Sequence, residues 1–277
     1  MDFYRWLHRL DESAFLNLKI WEFSFRSLPQ AYGHTFLKEI FFRYPLKTLA
    51  GLQAYRRFVL EGGSDRGVIY LFQGTESDFL KTAAEGNGRL LVAVGFCQKP
   101  MAIGNERPAC PSGRANHICH YLARLNLATA EAGPLHPACR ICHIRLVGSQ
   151  ALRAGASMHI MTSALDIAHD IFLPVLRRRR FEQALLSICP YSVQPISLPL
   201  LICGIPTLLF TYSRGACASY PQWLLADEGT KRERTFLSPA TQATLLDWLE
   251  RIASARMQSG HTCYQRFRSD GNIYVPM

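Results

Sequence analysis

Apolar residues fall at helical spacing through the first sixty positions. Phe3, Trp6, Leu7 and Leu10 share one helical face, and Phe36, Leu37, Ile40 and Phe41 share another. Tyr44-Pro45 interrupts this pattern, because proline pushes the residue before it out of the helical region. A further helix carries Leu49, Leu52, Tyr55 and Val59 and stops at Gly62-Gly63. A helical N-terminal region that packs its own aromatics is expected over residues 1–63. The aromatic count, with Arg56 and Arg57, also suits a face that docks on a partner or makes peripheral contact with a membrane.

From residue 67 the pattern changes to apolar blocks alternating with helical periods. Strands are predicted over 67–73, 89–97, 156–163, 183–189 and 207–212. Helices are predicted in "ESDFLKTAAEG", from near Cys142 to about Gly155, over 164–176 with a kink at Pro174, over 195–203, and over 239–258 with Ser238 as its cap. Residues 98–138 read as a long irregular segment. Unbroken apolar strands alternating with helices predict an α/β fold, with a parallel-sheet core and helices on both faces. The chain divides at this level into residues 1–63, a cysteine-rich α/β region 64–238, and a C-terminal helix and tail 239–277. Residues 195–212 carry no charge and reach the length of a membrane-spanning helix. Pro199, Gly204 and Pro206 divide that stretch, so a buried helical turn and a strand are expected, and no transmembrane segment.

Charge changes the picture because it is uneven. The chain of 277 residues has a formal net charge of +10. Residues 1–85 hold 11 Lys/Arg against 10 Asp/Glu, and the remaining 20 basic and 11 acidic residues follow, so nearly all the excess lies with the cysteines. A positive field there stabilises thiolates, an anionic cluster or an acidic protein partner. Nucleic acid is a poor candidate, since no nucleic-acid-binding signature accompanies the charge. The nine cysteines are Cys97, Cys110, Cys119, Cys139, Cys142, Cys189, Cys203, Cys217 and Cys263. Their odd number in a long chain, and an N-terminus unlike a signal peptide, point to a reducing cytoplasm, where clustered cysteines serve metal or redox chemistry.

The cysteines recur at predicted strand ends. Cys97 ends strand 89–97, Cys189 ends strand 183–189, Cys217 follows strand 207–212, and the loop carrying Cys110, Cys119 and Cys139 leaves from Cys97. In a parallel sheet these ends share one rim, where ligand sites form. One rim is therefore expected to collect Cys97, Cys110, Cys119, Cys139, Cys142, Cys189 and Cys217.

"CRICH" (139–143) admits four readings. Haem attachment through Cys139, Cys142 and His143 requires export, which nothing in the chain signals. A redox dithiol of Cys139 and Cys142 should follow a strand, whereas loop precedes it here. Structural zinc needs two close pairs; Cys139 and Cys142 form one, and His117, His120, His136 or His143 could complete a set. An iron–sulfur cluster accepts ligands from separate loops and gains from a basic surround. Cys203 and Cys263 read as space-filling thiols, His159 and His169 as packed or surface residues, and Asp227 as a turn cap. Ser112, Gly113 and Arg114 either cradle an anion or fold the loop, with the loop role preferred. Arg177 to Arg180 offset the dipole at a helix C-terminus.

The order "LLVAVGFCQ", "CPSGR", "CRICHI", "LLSICPYS" resembles the prokaryotic domain-of-unknown-function family numbered 116, over roughly residues 89–227. The resemblance implies a cysteine-ligated centre at Cys97, Cys110, Cys139, Cys142 and Cys189. Arg140 and Ile141 depart from its more glycine-bearing pair, and it implies no particular reaction. These readings lead to an iron–sulfur protein of redox or cofactor-related metabolism, working with a protein redox partner. Cys97, Cys110, Cys139, Cys142 and Cys189 are its first ligands, and Cys119 and Cys217 its second. The alternatives are a structural zinc module or adaptor, and a thiol–disulfide protein using Cys139 and Cys142.

Overall fold

The computed structural model describes residues 31–60, 67–85, 89–102, 108–129, 133–260, 264 and 266–277. The expectations placed on Phe3, Trp6, Leu7, Leu10, Gly62, Gly63 and Cys263 lie outside the described residues.

The protein is an α/β structure built on one mixed sheet. Helix α1 (Ala31–Thr35) runs on into a π-helical turn, Phe36–Phe41. Helix α2 (Pro45–Tyr55) begins on Pro45, as the Tyr44-Pro45 break predicts. Strand β1 (Val68–Leu71) and helix α3 (Glu76–Glu85) follow. Strand β2 (Leu90–Gly95) leads into the long cysteine-bearing connection, which holds short helices α4 (His120–Arg124) and α5 (Pro137–Arg140) and then α6 (His143–Arg153). Strand β3 (Ser157–Met161) is followed by α7, made of Ala164–Ile167, a π turn Ala168–Phe172 and Leu173–Arg178. Pro174 lacks the N–H that an α-helix would aim at the Asp170 carbonyl, and the π turn directly precedes it. Strand β4 (Gln183–Ile188), helix α8 (Val193–Cys203), strand β5 (Thr207–Arg214), helix α9 (Tyr220–Asp227), strand β6 (Phe236–Leu237) and helix α10 (Pro239–Gln258) complete the core. Ser238 caps α10, its hydroxyl accepting from Thr241 N at 3.0 Å. A final hairpin, β7 (Phe267–Asp270) and β8 (Ile273–Pro276), ends the chain.

The sheet order is β1-β5-β4-β2-β3-β8-β7, with β6 paired to β5. Strands β2, β3, β4 and β5 are mutually parallel. Their blocks of Leu, Val, Ile and Ala are buried because helices cover both faces. On one face α2 packs on α8 beside α7, and on the other α10 packs on α3 and α6. The parallel-sheet core is as expected, and the outer strands add antiparallel pairs to it. β1 runs antiparallel to β5, and β8 runs antiparallel to β3. An apolar run records burial but not strand direction, so "GVIYLFQ" could not reveal that β1 enters the edge reversed. The tail strands also tie residues 267–276 into the same sheet as the cysteine-rich region.

Among the described residues no helix is long and apolar enough to cross a membrane. The uncharged stretch 195–212 divides at Gly204 between α8 and β5, as its glycine and prolines predict. The basic C-terminus of α7 ends at Arg179 in a left-handed conformation. Its cations also meet carboxylates, Arg177 to Glu39 at 3.4 Å and Arg180 to Asp270 at 2.7 Å.

Candidate functional site

The connection from β2 to β3 passes over one face of the sheet through α6, and the return from β3 to β4 passes over the other through α7. Strand order therefore reverses between β2 and β4, and the loops leaving their carboxyl ends part. Ligand crevices form at such a point. Here a crevice encloses about 650 Å³ of free space, part of it open solvent, between residues that follow β2, β3, β4 and β5. Its lining includes Cys97, Thr162, Cys189, Tyr212, Cys217 and Asp227. Tyr212 holds the two strand ends together: its hydroxyl donates to Ser187 O at 2.8 Å and accepts from Gly95 N at 2.9 Å.

Three of the expected thiols meet at this crevice. The Cys217 N–H donates to the Cys189 sulfur at 3.3 Å, and the two thiols also hydrogen-bond to each other. The Lys231 ammonium, on a residue only 4% exposed, donates to Cys217 Sγ at 3.2 Å and to Gly215 O at 2.5 Å. The hydrogen bond from Cys189, then the Lys231 charge, hold Cys217 below the ordinary thiol range, while Cys189 is held above it. As a neutral thiol Cys217 donates instead to Gln222 O at 3.4 Å. Cys97 is pushed up to about 11 by burial, against the pull of Lys231 and Arg114. Arg114 itself donates to the backbone oxygens of Lys231 and Glu233, so the loop 110–119 is tied to the Lys231 segment.

Three more of the expected thiols, Cys110, Cys119 and Cys142, act on a second buried cation, and Cys139 lies beside Cys142 and Cys110. Lys99 is 1% exposed, and its ammonium donates to Asn116 O at 2.9 Å, Asn116 Oδ1 at 2.6 Å and Ile118 O at 2.9 Å. Burial lowers it to about 8, while Cys110, Cys119 and Cys142 act in the opposite direction. Burial raises the Cys119 thiol to about 11, with Cys142 and Cys110 adding to the rise. Cys139 is raised by burial and then by Cys142 and Cys110. Cys142 is also raised by burial, with Cys110 contributing. Backbone N–H groups oppose this at two sulfurs: those of Leu122 and Tyr121 at Cys119, and those of Arg145 and Ile144 at Cys142. Both cysteines precede a helix whose first amides are free to donate. Arg145 approaches from the side, donating to Cys139 O at 2.8 Å.

The structure thus sorts the seven rim cysteines by their main electrostatic neighbours. Cys97, Cys189 and Cys217 go with Lys231; Cys110, Cys119 and Cys142 go with Lys99; and Cys139 goes with Cys142, Cys110 and Arg145. No three cysteine sulfurs among the described residues lie within 4.8 Å of one another. Cys203 is buried elsewhere, its thiol donating to Phe172 O at 3.6 Å, in keeping with a space-filling role. Among the histidines, His136 Nδ1 caps α5 by accepting from Ala138 N at 3.3 Å. His143 is pushed down to about 4 by burial and hydrogen-bonds Gln242. Neither lysine was singled out from the sequence. Lys99 sits alone in "FCQKP" and Lys231 is hidden in the basic run "TKRER", where surface charge is the ordinary reading.

His117, His159 and Asp170 also bring three ligand-type atoms within 4.8 Å of one another. The group is held together by hydrogen bonds of its own. His159 Nε2–H donates to Asp170 Oδ2 at 3.0 Å, which also accepts from Asn272 Nδ2 at 3.0 Å. His117 Nδ1–H donates to Ile160 O at 2.8 Å, and the two imidazole rings stack at 5.3 Å. Burial holds His159 below the ordinary imidazole range, against the hydrogen bond and charge of Asp170.

Asp227, expected as a turn cap, accepts from Ala164 N at 2.6 Å and so caps α7 from across the crevice. Burial raises its carboxyl to about 6. An acid whose folded value lies above its unfolded one stabilises the fold when protonated, and that stability is lost as pH rises from about 4 to about 6. Asp227→Asn keeps an oxygen for Ala164 N and never ionises. It is expected to add about 1–3 kcal/mol above pH 7 and nearly nothing at pH 4. Urea unfolding at both pH values checks this, and equal midpoints at pH 7.5 would contradict it.

No protein-family model, curated protein or solved structure matches the chain.

Proposed function

We propose that this chain is a cytoplasmic, cysteine-ligated iron–sulfur protein of redox or cofactor-related metabolism, with Cys110, Cys119, Cys139 and Cys142 as the ligands. The observation that carries the reading is Lys99. A buried ammonium is costly without a counter-charge. This one has only neutral oxygens as hydrogen-bond partners and makes no ion pair with a carboxylate among the described residues. The groups around it that can become anionic are thiols. The donor set also suits the cofactor. Thiolates are the usual ligands of iron–sulfur clusters, and N–H groups aimed at the sulfurs tune them. Two of these four sulfurs receive such N–H groups. When bound, the cluster would supply one-electron transfer.

The remaining residues have separate parts in this reading. Lys99 and the amides at Cys119 and Cys142 offset the negative charge of the ligands. Asn116 folds the loop, accepting from Lys99 and Ile118 N and donating to Ser112 O at 2.8 Å. Ile118 and Ile141, 53% and 70% exposed, adjoin the ligands Cys119 and Cys142. With exposed Arg124 and Arg140 nearby, they form an apolar, basic rim suited to an acidic protein redox partner. Cys97, Cys189 and Cys217 are left out of the set because their principal cation is Lys231. The resemblance to the family numbered 116 implies a cysteine-ligated centre that shares Cys110, Cys139 and Cys142 with this set, adds Cys97 and Cys189, and assigns no reaction.

A single zinc ion would need the four sulfurs at the edges of a tetrahedron about 3.8 Å long. No three cysteine sulfurs among the described residues lie within 4.8 Å of one another. Protein purified anaerobically should contain equal amounts of iron and acid-labile sulfide, about two or about four of each per chain. Serine at any of the four ligands should remove most of both, whereas Cys97→Ser and Cys203→Ser should retain them. Zinc without sulfide would replace this reading with a structural zinc module. Iron lost in Cys97→Ser and retained in Cys110→Ser would move the ligand set to the crevice.

A further inference from the structure

We propose that Cys189 and Cys217 form a second, metal-free redox site in the switch-point crevice: a dithiol that reduces small hydroperoxides and closes to a disulfide. The two residues lie 28 positions apart and come together only because the loops after β4 and β5 share one rim. Their contact is direct, through the Cys217 N–H on the Cys189 sulfur at 3.3 Å and through the thiols themselves. Lys231 supplies the second, independent feature. Its buried ammonium donates to Cys217 Sγ at 3.2 Å and to the carbonyl of Gly215, and it makes no ion pair with a carboxylate among the described residues. That arrangement favours a thiolate at Cys217 and leaves the proton on Cys189. Both thiols line the crevice, yet Cys217 is 1% and Cys189 8% exposed. An oxidant must therefore be small, and a hydroperoxide is little larger than water.

The chemistry balances within the named groups. The Cys217 thiolate attacks the outer oxygen of the hydroperoxide; an S–O bond forms and the O–O bond breaks. The leaving oxygen takes a proton from solvent and departs as water or an alcohol, and the sulfur is oxidised by two electrons to a sulfenic acid. Cys189 then attacks the Cys217 sulfur. An S–S bond forms, the S–O bond breaks, and hydroxide leaves as water with the Cys189 proton. In total two thiols and one hydroperoxide give one disulfide, one water or alcohol, and one water.

None of the four proposed cluster ligands takes part, so this proposal and the iron–sulfur reading can fail separately. The test uses the full chain, purified anaerobically and treated with one equivalent of hydrogen peroxide. Mass-spectrometric mapping should find a Cys189–Cys217 disulfide that a reductant reverses. Cys189→Ser should accumulate a sulfenic acid at Cys217, trapped by a dione reagent. Lys231→Met should slow disulfide formation at neutral pH by about tenfold or more. The iron and sulfide content of both variants should equal that of the parent. Cys189 and Cys217 remaining reduced while Cys139 and Cys142 become linked would overturn the proposal. So would an unchanged rate in Lys231→Met. The mapping on the parent protein stands even if a variant fails to fold.

Discussion

Gly215→Ala is expected to destabilise the protein by about 2–5 kcal/mol, the sum of a backbone cost and a steric one. Gly215 sits at φ +65°, a conformation that costs a residue with a Cβ about 1–2 kcal/mol. A Cβ there would clash with the carbonyl oxygen of Arg234, which is backbone and cannot swing aside as a side chain could. The turn would have to move away from the segment that pairs β6 with β5 through Arg214 and Phe236. Its displacement would carry the carbonyl that Lys231 grips and, two residues on, Cys217. Gly204 separates the two costs. Its φ is +70°, but no atom lies within 4 Å of an added Cβ, so Gly204→Ala should cost only about 1–2 kcal/mol. Urea unfolding of both variants measures the difference, and equal costs would show that the Gly215 turn yields freely.

Lys99→Met is expected to cost about 2–4 kcal/mol in the metal-free protein and to abolish most iron binding. Methionine fills a similar volume but donates nothing. Asn116 O and Ile118 O lose a charged donor in a buried place, and Asn116 Oδ1 keeps only the Ile118 N–H. The loop that presents Cys110 and Cys119 loses its internal tie. The proposed ligands also lose the cation that would offset their charge as thiolates. Lys99→Arg should fail to restore the parent, because a planar fork does not direct three donors as an ammonium does. Denaturant midpoints give the stability loss, and iron and sulfide analysis gives the loss of the centre. Full iron content in Lys99→Met would remove the main support for the proposed function.

The two lysines show how much of the site was legible beforehand. The concentration of positive charge alongside the cysteines is visible in composition, and in the proposed function its sense is electrostatic: cations would offset thiolates. Which cations perform that role is not visible. Lys99 and Lys231 differ in sequence from surface lysines only in where the chain later places them. The contact between Cys189 and Cys217 was equally hidden, whereas the close spacing of Cys139 and Cys142 drew attention because it is local.

Periodicity alone settled a good deal of this protein. The helix over 239–258 with its Ser238 cap, the break at Tyr44-Pro45, and the positions of the four buried strands that end near Cys97, Thr162, Cys189 and Cys217 follow from burial patterns and backbone preferences. Those act over a few residues, so they can be read in order along the chain. Tertiary structure decided the reversed edge strand β1, the β7–β8 hairpin, the place of the switch point and the grouping of Cys97, Cys189 and Cys217 by Lys231 and of Cys110, Cys119 and Cys142 by Lys99. Each depends on which strands become neighbours and on which face each crossover takes. Those choices are made by burial summed over the whole sheet, and no single segment records them.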